Sequence, residues 1–146
     1  MFWWRVPKYQ QCDALIADGS IRSGKTISMS IGFITWACET FNGEFFAICG
    51  KTIESLRRNV ILQLRTWLPY EYTITEKRAE NVVIITYNGR TNRFNLFGGR
   101  DESSYMLIQG MTLAGVLFDE VALQPRSFVE QALARCSVEG SRFWFN

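Results

Sequence analysis

The 146 residues include sixteen basic and fourteen acidic side chains, for a formal net charge of +2, with 47% hydrophobic and 21% charged residues. That composition excludes disorder, collagen and coiled coil as whole-chain descriptions, and a chain of this length can bury an ordinary core without staples. No stretch approaches the roughly 18 uninterrupted apolar residues of a membrane helix, and Met1-Phe2-Trp3-Trp4-Arg5 puts its aromatics before its charge with no small-residue cleavage site, unlike a secretory leader.

The first predicted strand is Ala14-Leu15-Ile16-Ala17, followed by a glycine-bearing turn. A helical pattern then runs from Lys25 to about Thr40. It has one apolar face of Ile27, Ile31, Ile34 and Phe41 and a second of Met29, Phe33 and Trp36, so it is expected to be buried on two sides. Asn42-Gly43 ends it. Phe45-Phe46-Ala47-Ile48-Cys49 reads as a strand buried on both faces. Ile53, Leu56, Val60, Leu64 and Trp67 predict a second helix that stops at Pro69, with Arg57, Arg58 and Arg65 off its apolar face.

Val82–Tyr87, Asn88-Gly89 and Arg93–Phe97 predict a β-hairpin, since both residues of an Asn-Gly turn take positive φ. Gly98-Gly99 and the polar run to Ser104 read as a loop, and Val116-Leu117-Phe118 as a short buried strand ending in Asp119-Glu120. Pro125 stands where a helix begins, with Phe128, Val129, Ala132, Leu133 and Cys136 on its buried side. Arg142–Phe145 is a last strand before Asn146. Strands alternating with helices predict an α/β fold, a mainly parallel sheet with helices on both faces plus one antiparallel hairpin.

The chemistry concentrates in two places. Gly19-Ser20-Ile21-Arg22-Ser23-Gly24-Lys25-Thr26 matches G-x-x-x-x-G-K-[ST], between a predicted strand and a predicted helix. The two glycines let the backbone curl so that successive amides converge on phosphate oxygens, at the positive end of the helix. Lys25 is placed to reach the β- and γ-phosphates of ATP, and the Thr26 hydroxyl to hold Mg²⁺, which takes oxygen ligands. Downstream, an apolar strand ending in an acid completes such a magnesium shell with Asp119, while Glu120 activates the attacking water. The two carboxylates are expected to diverge by strand alternation. Alone, Asp119-Glu120 reads equally well as the polar cap of a strand.

Other residues carry less. Histidine is absent, which removes Ser-His-Asp, Cys-His and histidine–zinc chemistry from this chain. Cys12, Cys38, Cys49 and Cys136 lack metal-ligand spacing, and three of them lie in apolar runs, which suits a reducing compartment. Twelve of the sixteen basic residues are arginine; this fits phosphate recognition and genomic composition equally.

Asp18–Thr26, Cys49-Gly50-Lys51-Thr52, Phe97-Gly98-Gly99-Arg100-Asp101-Glu102 and Gln109–Glu120, together with the ending Cys136–Asn146, resemble the large terminase subunit of tailed bacteriophages, most closely its PBSX-like prophage branch. The resemblance implies a P-loop ATPase domain of a DNA-packaging motor. Its partners would be double-stranded DNA, the portal protein and the small terminase subunit, with a homo-oligomeric ring in the full-length protein. It would work in the host cytoplasm and transiently at the capsid portal, with no membrane association. Arg22 would neutralise charge developing on the γ-phosphate, although a salt bridge on the loop's outer face accounts for it too. Asn146 would sense the γ-phosphate where the family's coupling element begins. The family carries a C-terminal nuclease domain that these residues lack, so the sequence is expected to be an ATPase domain, residues 1–146, truncated at its C-terminal end. Rival readings are another P-loop translocase or helicase, a nucleotide-binding fragment without turnover, and a small-molecule kinase, which the adjacent Glu120 opposes. Tyr9 and Gln10 are the nearest candidates for adenine contact. Arg57, Arg58, Lys77, Arg78, Arg90, Arg93 and Arg100 serve either as a phosphate track on DNA or as solvated faces.

Overall fold

The computed structural model describes residues 2–20, 24–100 and 102–146. Its strands form one seven-stranded sheet, whose elements are, in chain order, β1 (Ala14–Ile16), α1 (Lys25–Thr40), β2 (Phe45–Gly50), α2 (Ile53–Leu56), α3 (Leu62–Trp67), β3 (Thr73–Lys77), β4 (Val82–Tyr87), β5 (Arg90–Gly98), α4 (Glu102–Gln109), β6 (Gly115–Phe118), α5 (Arg126–Ala134) and β7 (Arg142–Phe145). The strand order is β1-β7-β6-β2-β5-β4-β3. From β1 through β5 the pairing is parallel, and β5-β4-β3 is antiparallel. The mainly parallel sheet is what the alternation of strands and helices led one to expect, and the fold is the P-loop NTPase fold that the glycine loop and the resemblance implied.

The central strands are apolar on both sides because both sides are covered. In β2, Phe46 and Ile48 face α1, α2 and α3, while Ala47 and Cys49 face α4 and α5. The first layer is the larger. Around Phe33, the rings of Trp36, Phe46, Phe94 and Trp144 lie with centroids 5.8–6.0 Å away, in edge-on and tilted contacts, an arrangement that aromatic quadrupoles favour. Met29 through Cys38 are all buried, so α1 is indeed covered on two sides. Gly115 lets the sheet approach α1 closely: a Cβ there would lie 2.8 Å from the Trp36 ring and 3.1 Å from the carbonyl of Arg142.

Asn88 and Gly89 take φ of 51° and 75°, and the hairpin they close pairs Val82 with Asn95 through Tyr87 with Arg90. One strand was not anticipated, and two expectations need correction. Thr73–Lys77 is a strand: it carries a single isoleucine among polar residues, as an edge strand can, and so lacks an apolar pattern. The polar run after Gly99 is not loop as far as Ser104, because α4 starts at Glu102. Trp67 is 59% exposed rather than part of the buried face. Between α2 and α3 the chain makes a π-helical turn, Arg57–Ile61. Its extra residue rotates the phase of the helix, so that Ile61, Leu64 and Leu68 pack inward and Trp67 turns outward.

Candidate functional site

The C-terminal ends of β1, β7 and β6 lie side by side, with the N-terminus of α1 above them, because β7 is inserted between the strand that precedes the glycine loop and the strand that ends in the acidic pair. A crevice at the carboxyl ends of parallel strands is where open α/β sheets bind ligands. Here it is a cleft of about 740 Å³, whose lining combines the polar or charged Lys25, Thr26, Glu120 and Asn146 with the apolar Ile16, Leu123 and Phe145.

Among the described residues, the start of α1 has no side-chain cap and no acidic first turn. Its N-cap is Gly24, which has no side chain to cap with and takes the left-handed conformation, φ 76° and ψ 11°. A lysine stands at the first helical position, where the helix dipole disfavours a cation. Lys25 Nζ donates to the loop carbonyls of Gly19 (2.7 Å) and Ser20 (2.8 Å). An anion seated at this helix end would satisfy both the amides and the ammonium. Ile21, Arg22 and Ser23 of the glycine loop lie outside the described residues.

Behind Lys25, three side chains from three elements meet. The Thr26 hydroxyl donates to Asp119 Oδ1 at 3.1 Å. Asn146 Nδ2 donates to Thr26 Oγ1 at 2.7 Å and to the same Asp119 oxygen at 2.9 Å. The sequence separates these residues by as many as 120 positions, and the fold brings Thr26, Asp119 and Asn146 together. Asp119 is 3% exposed. Burial raises its pKa above the ordinary carboxylate value, the hydrogen bonds from Thr26 and Asn146 oppose that, and the charge of Glu120 adds to it. A hard divalent cation suits this donor set, a hydroxyl beside a desolvated carboxylate with no nitrogen or sulfur ligand among the three residues.

Glu120 diverges from Asp119, but not by strand alternation. β6 ends at Phe118, and Glu120 adopts φ 54° and ψ 54°, one of three non-glycine residues with positive φ among the described residues. The left-handed step turns its exposed side chain to the cleft wall. Such conformations cost on the order of 1–3 kcal/mol and persist only where surrounding bonds over-determine them. Here the Asp119 amide donates to Cys49 O (2.8 Å), the Val121 amide to Asn146 O (2.9 Å) and the Leu123 amide to Glu120 O (3.0 Å).

Sequence reasoning overlooked Gln124, whose side-chain amide is buried among these strand ends. A lone glutamine before a proline carries no motif, so nothing in the sequence signalled it. Tyr9 and Gln10 do not line the cleft; the Gln10 carbonyl instead accepts a bond from Arg142 at 2.9 Å. Several of the candidate DNA-tracking arginines already have internal partners. Arg57 bonds Glu76 at 2.8 Å and Asn81 at 2.9 Å, Arg93 bonds Glu80 at 3.1 Å, and Arg90 bonds the Glu39 carbonyl.

Known structures resemble this fold over nearly the whole chain. The large terminase from a thermophilic bacteriophage matches 99% of this chain at 55% identity with a TM-score of 0.95, and this chain spans 36% of that protein. The same protein in complex with ADP matches at 52% identity and a TM-score of 0.88, and in complex with ATP-γ-S at 50% and 0.89. The ATPase domain of the large terminase of Thermus phage P74-26 shares the fold at 16% identity, with a TM-score of 0.64 over 91% of this chain. No protein-family model and no curated protein matches.

Proposed function

We propose that this chain, similar over nearly all its residues to a phage large terminase, is the ATPase part of such a protein: a motor domain that couples ATP hydrolysis to packaging of double-stranded DNA into capsids. The observation that carries the reading is the meeting of Thr26, Asp119 and Asn146 directly behind the uncapped, lysine-bearing start of α1. The complexes of the thermophilic phage protein with ADP and ATP-γ-S support it, since the residues that line this cleft belong to a chain half identical to that one.

On this reading the α1 amides and Lys25 hold the terminal phosphates, Lys25 exchanging the Gly19 and Ser20 carbonyls for phosphate oxygens. Gly19, Ser20, Ile21, Arg22, Ser23 and Gly24 supply the cradle, with Arg22 neutralising charge that develops on the γ-phosphate. Thr26 and Asp119 are the residues that would hold Mg²⁺, which supplies charge neutralisation at the phosphates when bound. Glu120 takes a proton from the attacking water as its oxygen bonds to the γ-phosphorus and the bond to the ADP oxygen breaks. The Asn146 amide, already shared between Thr26 and Asp119, reports the change in charge at the γ-position to the end of β7. Double-stranded DNA, the portal protein, the small terminase subunit and further copies in a ring are the partners of this reading, in the host cytoplasm. Among the described residues no helix is long and apolar enough to cross a membrane.

The test is titration of the protein with ATP-γ-S, followed by steady-state hydrolysis of ATP with and without DNA. The parent is expected to bind and to turn over. Lys25→Ala removes charge-assisted bonds contributing about 1.5–3 kcal/mol each, a loss of roughly ten- to a hundredfold in affinity per bond. A parent that binds no nucleotide would falsify the reading.

A further inference from the structure

Gln124 is 8% exposed and sits where three strands end. Its Nε2 donates to the Asp119 carbonyl at 2.9 Å and to the Cys49 carbonyl at 3.2 Å, spanning the ends of β6 and β2. The Asp119 amide donates to that same Cys49 carbonyl. One acceptor on β2 thus receives both the backbone of the acidic turn and the side chain that holds its next carbonyl. On its other side Gln124 packs against Gly99, where a Cβ would lie 3.4 Å from its Cγ and 3.5 Å from its Oε1. Gly99 is itself fixed to β2 by a bond of 2.7 Å from its amide to Gly50 O.

Two features show that this amide is not filler. The first is that Oε1 has no hydrogen-bond partner among the described residues although it is buried. An unsatisfied buried acceptor costs stability, and an apolar side chain of the same length would avoid that cost. The side chain therefore serves through its donor half. The second is what that half holds: the carbonyl between Asp119 and Glu120, immediately before the left-handed residue. The orientation of this peptide plane sets ψ of Asp119 and φ of Glu120, and hence the direction in which the Glu120 carboxylate leaves the strand.

We infer that Gln124 is a positioning residue for the proposed hydrolysis: its amide clamps the peptide between Asp119 and Glu120 against β2 and thereby aims Glu120 into the cleft. The inference rests on the ATPase reading for its consequence in turnover, but not for its consequence in the geometry of the turn.

The experiment therefore has two arms. In Gln124→Met, which keeps the length and removes the donor, amide hydrogen exchange of residues 119–123 in the nucleotide-free protein is expected to accelerate about tenfold or more, with residues 25–40 of α1 changed less than about twofold. Gln124→Glu, which keeps the shape but turns a carboxylate toward two carbonyls, is expected to give the same signature and serves if the methionine variant does not fold. In ATP hydrolysis both variants are expected to lose about tenfold or more in kcat, with KM for ATP within about threefold of the parent. Ala132→Gly, in the buried face of α5 away from the cleft, is the stability control and is expected to keep kcat. Unchanged exchange at 119–123 overturns the assignment, as does a kcat loss that Ala132→Gly reproduces at equal loss of Tm. A parent without nucleotide binding indicts the ATPase reading alone, and the exchange arm still decides whether Gln124 holds the turn.

Discussion

The two ends of α1 are built on opposite principles. At the C-terminal end long-range side-chain bonds tie the helix down. The Glu39 carboxylate accepts from Trp4 Nε1 at 3.2 Å and from the guanidinium of Arg5. Arg90 donates to the Glu39 carbonyl, placing a cation where the helix dipole welcomes one. Asn92 Nδ2 binds the Phe41 carbonyl at 2.9 Å, and the Asn42 side chain accepts from the Thr91 amide at 3.0 Å. At the N-terminal end the cap is a glycine and the charge has the wrong sign for the dipole. The tied end makes the helix rigid without help from the open end, and the open end keeps its amides for a ligand. Local instability at Gly24 and Lys25 is tolerable because the aromatic layer around Trp36 and Trp144 holds the rest of the helix.

The comparison breaks most visibly at the open end. Replacing the proposed base, Glu120→Gln, is expected to lower kcat by about 10²–10⁴ while leaving affinity for ATP-γ-S within about threefold. Stability should change little, because the side chain is exposed and the left-handed turn does not depend on its charge. Steady-state hydrolysis combined with nucleotide titration checks this, and turnover near the parental rate would remove Glu120 from the chemistry.

At the tied end the expected effect is on stability. Trp144 is fully buried and touches the rings of Trp3, Trp4, Phe33 and Trp36. Trp144→Ala is expected to cost about 3–5 kcal/mol in a urea or thermal unfolding experiment. Trp144 also lies two residues before Asn146, so the same variant should weaken nucleotide affinity at temperatures where it remains folded. A variant destabilised at this end with full affinity would show that the two ends of the helix are independent.

How much of this was legible in the sequence follows the same division. The open end is written in residue types whose chemistry is local: a glycine that can turn left-handed, a lysine, a threonine, an acidic pair after an apolar run. Their convergence was readable because each lies at the end of a predicted strand or the start of a predicted helix. The tied end depends on partners far away in sequence, such as Arg5 with Glu39 across 34 residues and Arg90 with Glu39 across 51, and nothing local in Trp4, Arg5 or Arg90 announces them. Gln124 belongs to this second kind: its importance comes from two carbonyls that only the assembled sheet brings within reach. The divergence of Asp119 and Glu120 was foreseen but for the wrong cause, since strand periodicity says nothing of a left-handed residue just past the strand.

A smaller test addresses the cap itself. A Cβ on Gly24 would find nothing within 4 Å among the described residues, so what opposes Gly24→Ala is its φ of +76°. The left-handed conformation costs a residue with a Cβ about 1–2 kcal/mol. Part of this should appear as lowered stability and part as weaker phosphate binding, as the loop relaxes away from its left-handed step. If unfolding and nucleotide titration of Gly24→Ala both match the parent, the open end does not need that conformation, and the contrast with the tied end loses its backbone basis.

A last effect, absent at neutral pH, lies within the tied half of α1. Cys38 is fully buried, and desolvation pushes its thiol from an ordinary value of 9.0 up to about 12. The folded chain therefore keeps this proton over a range in which the unfolded chain releases it. Below pH 9 the thiol is neutral in both states and stability does not depend on it; between pH 9 and 12 stability falls as pH rises, because the unfolded state binds fewer protons there. One such group contributes a slope of about 1.4 kcal/mol per pH unit within that window. Cys38→Ala loses some packing at every pH, but its stability should decline less steeply than the parent's between pH 9 and 12. Urea unfolding at several alkaline pH values measures the difference in slope rather than the offset, so the packing loss does not obscure it. Parallel slopes would mean that the thiol ionises as readily in the folded chain as in the unfolded one, and that this end of the helix opens to water more than its contacts imply.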